Sequence, residues 1–246
     1  MPAAQVRGWR KRLTGAFRAA LPQSCALCAA PSGSALVCAA CARSLPPLPP
    51  ACPGCALPSA ARERCGRCVA QPPVFDRSWA PFVYAFPVDR LIQQYKYHGA
   101  LAYADWFAET MLAAAPAMPR AGVIAAIPLA RSRQRERGFN QALEIARHLS
   151  RRTGIPLAPN LATRVRDTPP QASLPWAERA RNIDGAFACA SDVSGQHVLV
   201  VDDVMTTGAS LQEFARTLKA AGAASVENWV VARTLPPSDS SELVRE

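Results

Sequence analysis

Hydrophobic and polar positions fall in blocks along this chain of 246 residues, and each block has the length of one secondary-structure element. The sharpest is Val198 to Val201, four aliphatic residues running straight into Asp202 and Asp203. An uncharged run this short, bounded by polar residues, predicts a strand buried on both faces, as in a parallel sheet. Thr206-Thr207-Gly208 then reads as a turn. Ser210 with Glu213 fits a capping box, and Leu211, Phe214, Ala215 and Leu218 share one face of a helix that Gly222 ends.

The same reading upstream predicts a strand over Ser78–Phe86 and a helix over Val88–Tyr97 that bears Leu91, Ile92 and Tyr95. That helix delivers Lys96 and His98 to Gly99. A second helix covers Leu101–Ala115. Gly122–Ile127 predicts a short buried strand ending in Pro128-Leu129-Ala130-Arg131. The charge-dense run from Arg131 to Gln141 reads as a loop, with Asn140 as N-cap of a helix to Arg152. Leu161–Arg164, Gly185–Ala190, His197–Val201 and Val226–Ala232 supply further strands. Strands alternating with helices predict an α/β fold with a mostly parallel sheet flanked by helices. Residues 167–184 are polar and proline-containing, a long loop, and the tail from Pro236 is expected to be disordered.

Ligands of such sheets bind beyond the carboxyl ends of the strands. Asp202 and Asp203 are expected at that edge, where two carboxylates can take sugar hydroxyls. Thr206, Thr207, Gly208, Ala209 and Ser210 offer consecutive backbone N–H groups and three hydroxyls to an anion at the positive end of a helix. Together they describe a sugar-phosphate site. A buried strand whose acids merely begin a loop would not call for this order of groups.

Eight of the nine cysteines form four C-x-x-C pairs: Cys25/Cys28, Cys38/Cys41, Cys52/Cys55 and Cys65/Cys68. Each half has the pattern C-x2-C-x9-C-x2-C, and the second repeats the first 27 residues later. Such spacing suits two tetrahedral Zn²⁺ sites; disulfides fit a cytosolic chain poorly. Pairing within each half is the simpler arrangement, and a cross-braced one stays open. A segment of about fifty residues with few large apolar side chains cannot build a core unaided, so metal binding should supply folding energy there. Cys189, in the run Ala186–Ala190, is expected to be a small buried residue.

The net charge is +10, and residues 1–72 carry +8 of it. Metal-bound thiolates and two zinc ions would reduce the local value to about +4, which weakens but keeps a nucleic-acid reading of this segment. Trp9, Leu13, Phe17 and Leu21 recur at i, i+4 spacing with Arg and Lys opposite. Such a stripe can lie on a membrane surface, although docking on its own protein is the preferred reading. No segment has the length of a membrane span, and the basic N-terminus lacks the apolar core of an export signal, so the cytoplasm is expected.

The run from Val198 to Ser210 resembles the fingerprint of type I phosphoribosyltransferases for phosphoribosyl pyrophosphate (PRPP). One departure is Thr206, where purine-salvage members with a loop base carry Asp; that specificity is disfavoured. Together with the C-x-x-C knuckles, YKYHG (Tyr95–Gly99), IPLARSRQRERGFNQ (Ile127–Gln141) and RVRDTPPQASLPWAERARNIDGAF (Arg164–Phe187), the chain resembles the ComF family over about residues 23–235. The resemblance implies a type I phosphoribosyltransferase fold over 73–235 and a double zinc ribbon over 23–72. A basic segment, 1–22, precedes them and a tail, 236–246, follows.

The resemblance also implies a site map. Asp202 and Asp203 would hold the ribose hydroxyls and Thr206 to Ser210 the 5′-phosphate. Pro128, Leu129, Ala130 and Arg131 would form the pyrophosphate loop. Arg137 is the strongest of the further arginines; Arg133 and Arg135 divide evenly between pyrophosphate ligands and a solvated turn. Lys96 is a candidate phosphate ligand, with a surface lysine as the alternative. Gln171, Arg179, Arg181 and Asn182 would lie on a loop closing over PRPP. His98 and His148 are expected to be structural or exposed, and His197 to begin its strand. The implied activity is Mg²⁺-dependent PRPP binding and phosphoribosyl transfer to an unidentified acceptor, with a role in natural competence. Single-stranded DNA or competence proteins are the implied partners of the zinc module. The alternative is a non-catalytic nucleic-acid-handling protein whose transferase-like domain senses PRPP or docks partners. A PRPP-responsive transcription regulator ranks lower, because no helix-turn-helix is recognisable.

Overall fold

A computed structural model of the chain describes residues 23–98, 101–166 and 183–236. The chain divides into two compact units, Met1–Leu45 and Pro46–Glu246. The boundary falls between the two four-cysteine halves. The second half therefore shares its unit with the parallel sheet.

In the first unit β1 (Gln23–Ser24) pairs antiparallel with β2 (Pro31–Gly33), and α1 (Ala39–Arg43) follows Cys38. The second half rebuilds the same backbone. Its helix α2 (Gly66–Ala70) follows Cys65 at φ −66°, ψ 159°, against −66° and 158° at Cys38. Ala29 N donates to Cys25 O and Ala56 N to Cys52 O, both at 2.9 Å. The 27-residue sequence repeat is thus a repeat of hydrogen bonds as well.

The larger unit is built on a five-stranded sheet in the order β3 (Arg77–Trp79), β9 (Ser225–Arg233), β8 (His197–Met205), β5 (Val123–Ala126), with β4 (Phe82–Val83) also on β9. Every pairing in it is parallel. The predicted strand Ser78–Phe86 is two short pieces, β3 and β4, each paired with a different stretch of β9. Val198 to Val201 are buried, as a central strand covered on both faces requires. One covering face is α7 (Ala209–Ala220), which buries Leu211, Phe214, Ala215 and Leu218. The elements between β4 and β8 are α3 (Val88–His98), α4 (Leu101–Ala114), α5 (Arg131–Arg137) and α6 (Gln141–Thr153), then β6 (Ala162–Arg164) and β7 (Phe187–Cys189). No helix among the described residues is long and apolar enough to cross a membrane.

Several expectations are corrected. β6 and β7 do not extend the parallel sheet; they pair with each other as a separate antiparallel ribbon. Arg131–Arg137 is a helix, because its straight-chain Arg, Gln and Glu side chains are good helix formers and Gly138 at φ 77° supplies the left-handed cap. β8 runs through both acids to Met205, since β9 keeps pairing with it as far as Arg233. The capping box does not form: Gly208 at φ 80°, with no side chain of its own to cap with, is the N-cap of α7, and Ser210 lies inside the helix. Glu213 is buried instead and accepts from Gly185 N at 2.9 Å. Cys189 is half-buried, its thiol donating to Leu161 O and Ser191 O at 3.4 and 3.1 Å.

Candidate functional site

The cysteines group within halves, Cys25, Cys28, Cys38 and Cys41 in one cluster and Cys52, Cys55, Cys65 and Cys68 in the other. The cross-braced arrangement is thereby ruled out. Within each cluster the Sγ atoms all lie within 4.8 Å of one another, and none forms a disulfide. Cys28 and Cys38 are 3.8 Å apart and Cys55 and Cys65 3.7 Å. A tetrahedron with Zn–S bonds of about 2.3 Å has edges of about 3.8 Å, so the donor sets fit Zn²⁺. Backbone N–H groups point at one sulfur in each: Cys38 N at Cys25 Sγ and Cys65 N at Cys52 Sγ, both at 3.3 Å. Burial opposes ionisation of these two thiols, but the amides outweigh it and bring Cys25 to about 6 and Cys52 to about 7.

At the carboxyl edge of the sheet, β5 ends with Ala126 opposite Val201 and Ile127 N donating to Val201 O at 3.0 Å, while β8 runs on past it to Met205. Pro128 to Arg131 leave the end of β5 here, beside Asp202 and Asp203 in the last stretch of β8, and Thr206 to Gly208 then turn into α7. Asp202, Thr206, Gly208, Ala209 and Ser210 line a common recess. Asp203 is buried and its Oδ2 meets Lys96 Nζ at 3.0 Å, the two side chains being 12 % and 18 % exposed. This pairing corrects the surface-lysine reading. Asp202 Oδ1 accepts from Asp203 N at 2.8 Å. Burial and the neighbouring Asp203 carboxylate push Asp202 up to about 7, against the opposing pull of that amide, Lys96 and Arg137. Burial works against the Lys96 ammonium, yet the Asp203 carboxylate holds it above its ordinary value.

The motifs that lie apart in sequence meet here. Tyr95, fully buried, packs against Phe139 with ring centroids 5.5 Å apart and donates its hydroxyl to Gln141 O at 2.8 Å. Arg137 lies over the Tyr97 ring at 5.8 Å and donates to Gln141 Oε1 at 3.1 Å, while its buried Nε has no partner among the described residues. Asn140 caps α6 by accepting from Leu143 N at 3.3 Å and donates to Ile127 O at 3.0 Å, which ties the helix start to the end of β5. α3 thus carries Lys96, and the stretch after α5 seats Arg137, beside the same acids.

A cavity of about 1000 Å³ opens at the opposite edge, where Arg77, His197 and Ser225 begin their strands. It is larger than the recess and contains neither acid of the pair.

The double zinc ribbon domain model matches residues 16–69 and the phosphoribosyl transferase domain model residues 138–240. The DNA utilization protein YhgH of Salmonella typhi is 34 % identical over 224 residues, 87 % of this chain and 99 % of that protein. Competence protein F of Haemophilus influenzae is 31 % identical over 70 % of this chain and 79 % of its own. The chain belongs to the ComF family. A solved glutamine PRPP amidotransferase from Bacillus subtilis aligns over 52 % of this chain and 26 % of its own, at 22 % identity and a TM-score of 0.36.

In this ComF-family chain the remaining site candidates divide into four groups. Gly208 sits where a Cβ would come within 2.7 Å of Met205 Cε, and Thr207 Oγ1 accepts from Ala209 N at 3.1 Å, which closes the loop on itself. Arg131 and Arg135 are exposed, and Arg133 is paired with Glu136 at 2.8 Å along its own helix. Gln171, Arg179, Arg181, Asn182 and the stripe from Trp9 to Leu21 lie outside the described residues. His148 is structural, its Nδ1 on Asp105 Oδ1 at 2.6 Å, and His197 begins β8 with its Nδ1 on Ser225 Oγ at 2.6 Å.

Sequence reasoning missed Arg233. It is buried and donates from Nη1 to Met205 O at 2.8 Å and to Thr206 O, the two carbonyls that lead into the loop Thr206–Ser210. The signal was available: an arginine directly closes the apolar run Val230-Val231-Ala232, where a charge needs a partner.

Proposed function

We propose that this chain binds Mg²⁺·PRPP at the edge between β5 and β8 and transfers the phosphoribosyl group to an acceptor, in a role linked to DNA uptake or utilisation. One observation carries the reading: Asp202 and Asp203 stand at the end of a buried parallel strand, with Lys96 and Arg137 beside them and the loop Thr206–Ser210 next along the chain. Two carboxylates for hydroxyls, cations for a pyrophosphate and a glycine-turned helix start for a phosphate are the groups that PRPP requires. The names of the relatives support the link to competence and DNA utilisation.

In this reading Asp202 and Asp203 hold the 2′ and 3′ hydroxyls. The amides and hydroxyls of Thr206 to Ser210 hold the 5′-phosphate. Arg131 and Arg137, with Pro128 to Ala130, face the pyrophosphate, where forked donors suit several charged oxygens. Lys96 reaches the phosphate once Asp203 turns to the ribose. The bond from C1 to the pyrophosphate oxygen breaks, its electron pair leaves with pyrophosphate, and the acceptor forms the new bond to C1. The acids then lie close to the positive charge developing on the ribose. Mg²⁺ fits a site with two carboxylates and a polyanionic substrate, and when bound it would neutralise pyrophosphate charge, resting mainly on substrate oxygens and water.

Isothermal titration calorimetry with Mg²⁺·PRPP tests the assignment. The double variant Asp202→Asn, Asp203→Asn should lose measurable binding with an unchanged far-ultraviolet spectrum. Unchanged affinity would remove the acids from the site. Mass spectrometry of products formed with bases, nucleosides or DNA would then identify the acceptor.

A further inference from the structure

Arg233 closes β9 at 1 % exposure, and no carboxylate pairs with it among the described residues. Its hydrogen-bond partners are backbone carbonyls from three places in the fold. Nε donates to Cys55 O at 2.8 Å, within the second zinc knuckle. Nη1 donates to Met205 O and Thr234 O, each at 2.8 Å, and to Thr206 O. One planar guanidinium therefore joins the metal knuckle to the start of the sugar-phosphate loop, and all these groups belong to the Pro46–Glu246 unit.

A buried cation needs compensating charge as well as hydrogen bonds. The Cys52, Cys55, Cys65, Cys68 cluster, whose Cys55 carbonyl accepts from Nε, is the source the fold lays against it. Four thiolates around one Zn²⁺ carry a formal charge of about −2. Loss of the metal frees the knuckle that holds the Cys55 carbonyl in place, and the Arg233 fork loses one of its anchors.

We propose that Arg233 is a positioning residue through which zinc in the second cluster and PRPP in the recess strengthen each other's binding. The proposal rests on the PRPP reading above. It extends that reading by giving the second cluster a part in ligand affinity that the first cluster lacks. Coupling between two binding equilibria is reciprocal, so it can be read from either side.

The test uses the full-length, zinc-loaded chain with a zinc-selective chelator that leaves Mg²⁺ in solution. Released cysteines are trapped by N-ethylmaleimide and located by peptide mass spectrometry. Saturating Mg²⁺·PRPP should slow labelling of Cys52, Cys55, Cys65 and Cys68 by about tenfold, within the usual range of coupling, and leave Cys25 to Cys41 unchanged. Arg233→Lys keeps the charge but not the fork. At saturating ligand it should reduce that protection to less than about twofold while keeping two zinc ions and the wild-type far-ultraviolet spectrum. Should that variant fail to fold, the reverse arm serves: wild-type protein stripped of its second zinc should bind Mg²⁺·PRPP about tenfold more weakly. Full protection in Arg233→Lys, or wild-type PRPP binding with no selective protection of the second cluster, overturns the proposal. Absence of PRPP binding to the zinc-loaded wild type overturns the sugar-phosphate reading itself, and this coupling with it.

Discussion

Lys96 Nζ and Asp203 Oδ2 meet at 3.0 Å across the gap between α3 and β8. The ion pair brings a cation from one motif onto the acid pair of another. Among the described residues it also leaves Asp202 as the carboxylate without a direct lysine partner. The two acids are adjacent in sequence, yet their surroundings differ, and that difference sets their behaviour.

Removing the cation tests the pair. Lys96→Met keeps the length of the side chain and leaves Asp203 beside Asp202 with no ammonium. Losing a charge-assisted contact of about 1.5–3 kcal/mol should weaken Mg²⁺·PRPP binding by about tenfold to a hundredfold. Calorimetry checks this, and unchanged affinity would make the pair merely structural.

Asp202 predicts a pH dependence of the free protein. Its folded value of about 7 lies above the ordinary 3.8, so between these values the folded chain holds a proton that the unfolded chain releases. The stability this group contributes is full below about pH 4 and is lost as pH rises through about 7. Asp202→Asn cannot ionise and should not show that loss. Thermal melts from pH 4 to 8 should find the variant gaining on the wild type as pH rises, and a constant difference would contradict the assignment.

Gly208→Ala probes the loop. At φ 80° the added Cβ would meet Met205 Cε at 2.7 Å. The left-handed backbone alone costs about 1–2 kcal/mol in a residue with a Cβ. Chemical denaturation should show a loss of that order, with weaker PRPP binding, because the start of α7 must shift to accommodate the methyl.

Glu213 anchors a different segment. Its buried carboxylate accepts from Gly185 N at 2.9 Å and pairs with Arg216. Glu213→Ala should cost about 1–3 kcal/mol and raise hydrogen exchange at Gly185 and Ala186, while Glu213→Gln, which keeps an acceptor, should restore most of the protection. Equal exchange in all three proteins would show that this contact does not hold the segment.

Much of this is legible in the sequence. The strand Val198–Val201 is readable because burial on both faces leaves a continuous aliphatic run, and the helix over Leu211–Leu218 because one face must be apolar. The cysteine spacing announced two metal sites. Two errors share one cause. Ser210 with Glu213 looks like a capping box and Arg131–Gln141 looks like a loop only while neighbours in space are ignored; Gly185 claims Glu213, and Gly138 ends a real helix.

The sequence by itself determined the local chemistry: which residues can ligate zinc, which strand is buried, and where two acids meet a glycine turn. These follow from spacing and from the period of a helix or strand, which neighbouring residues define. Tertiary structure alone decided that the cysteines close within halves, that Lys96 lands on Asp203, and that Arg233 joins Cys55 to Met205. Such contacts link residues far apart in the chain through sheet order and packing register. A buried charge takes its partner from whichever element the fold lays beside it, and no local pattern records that choice.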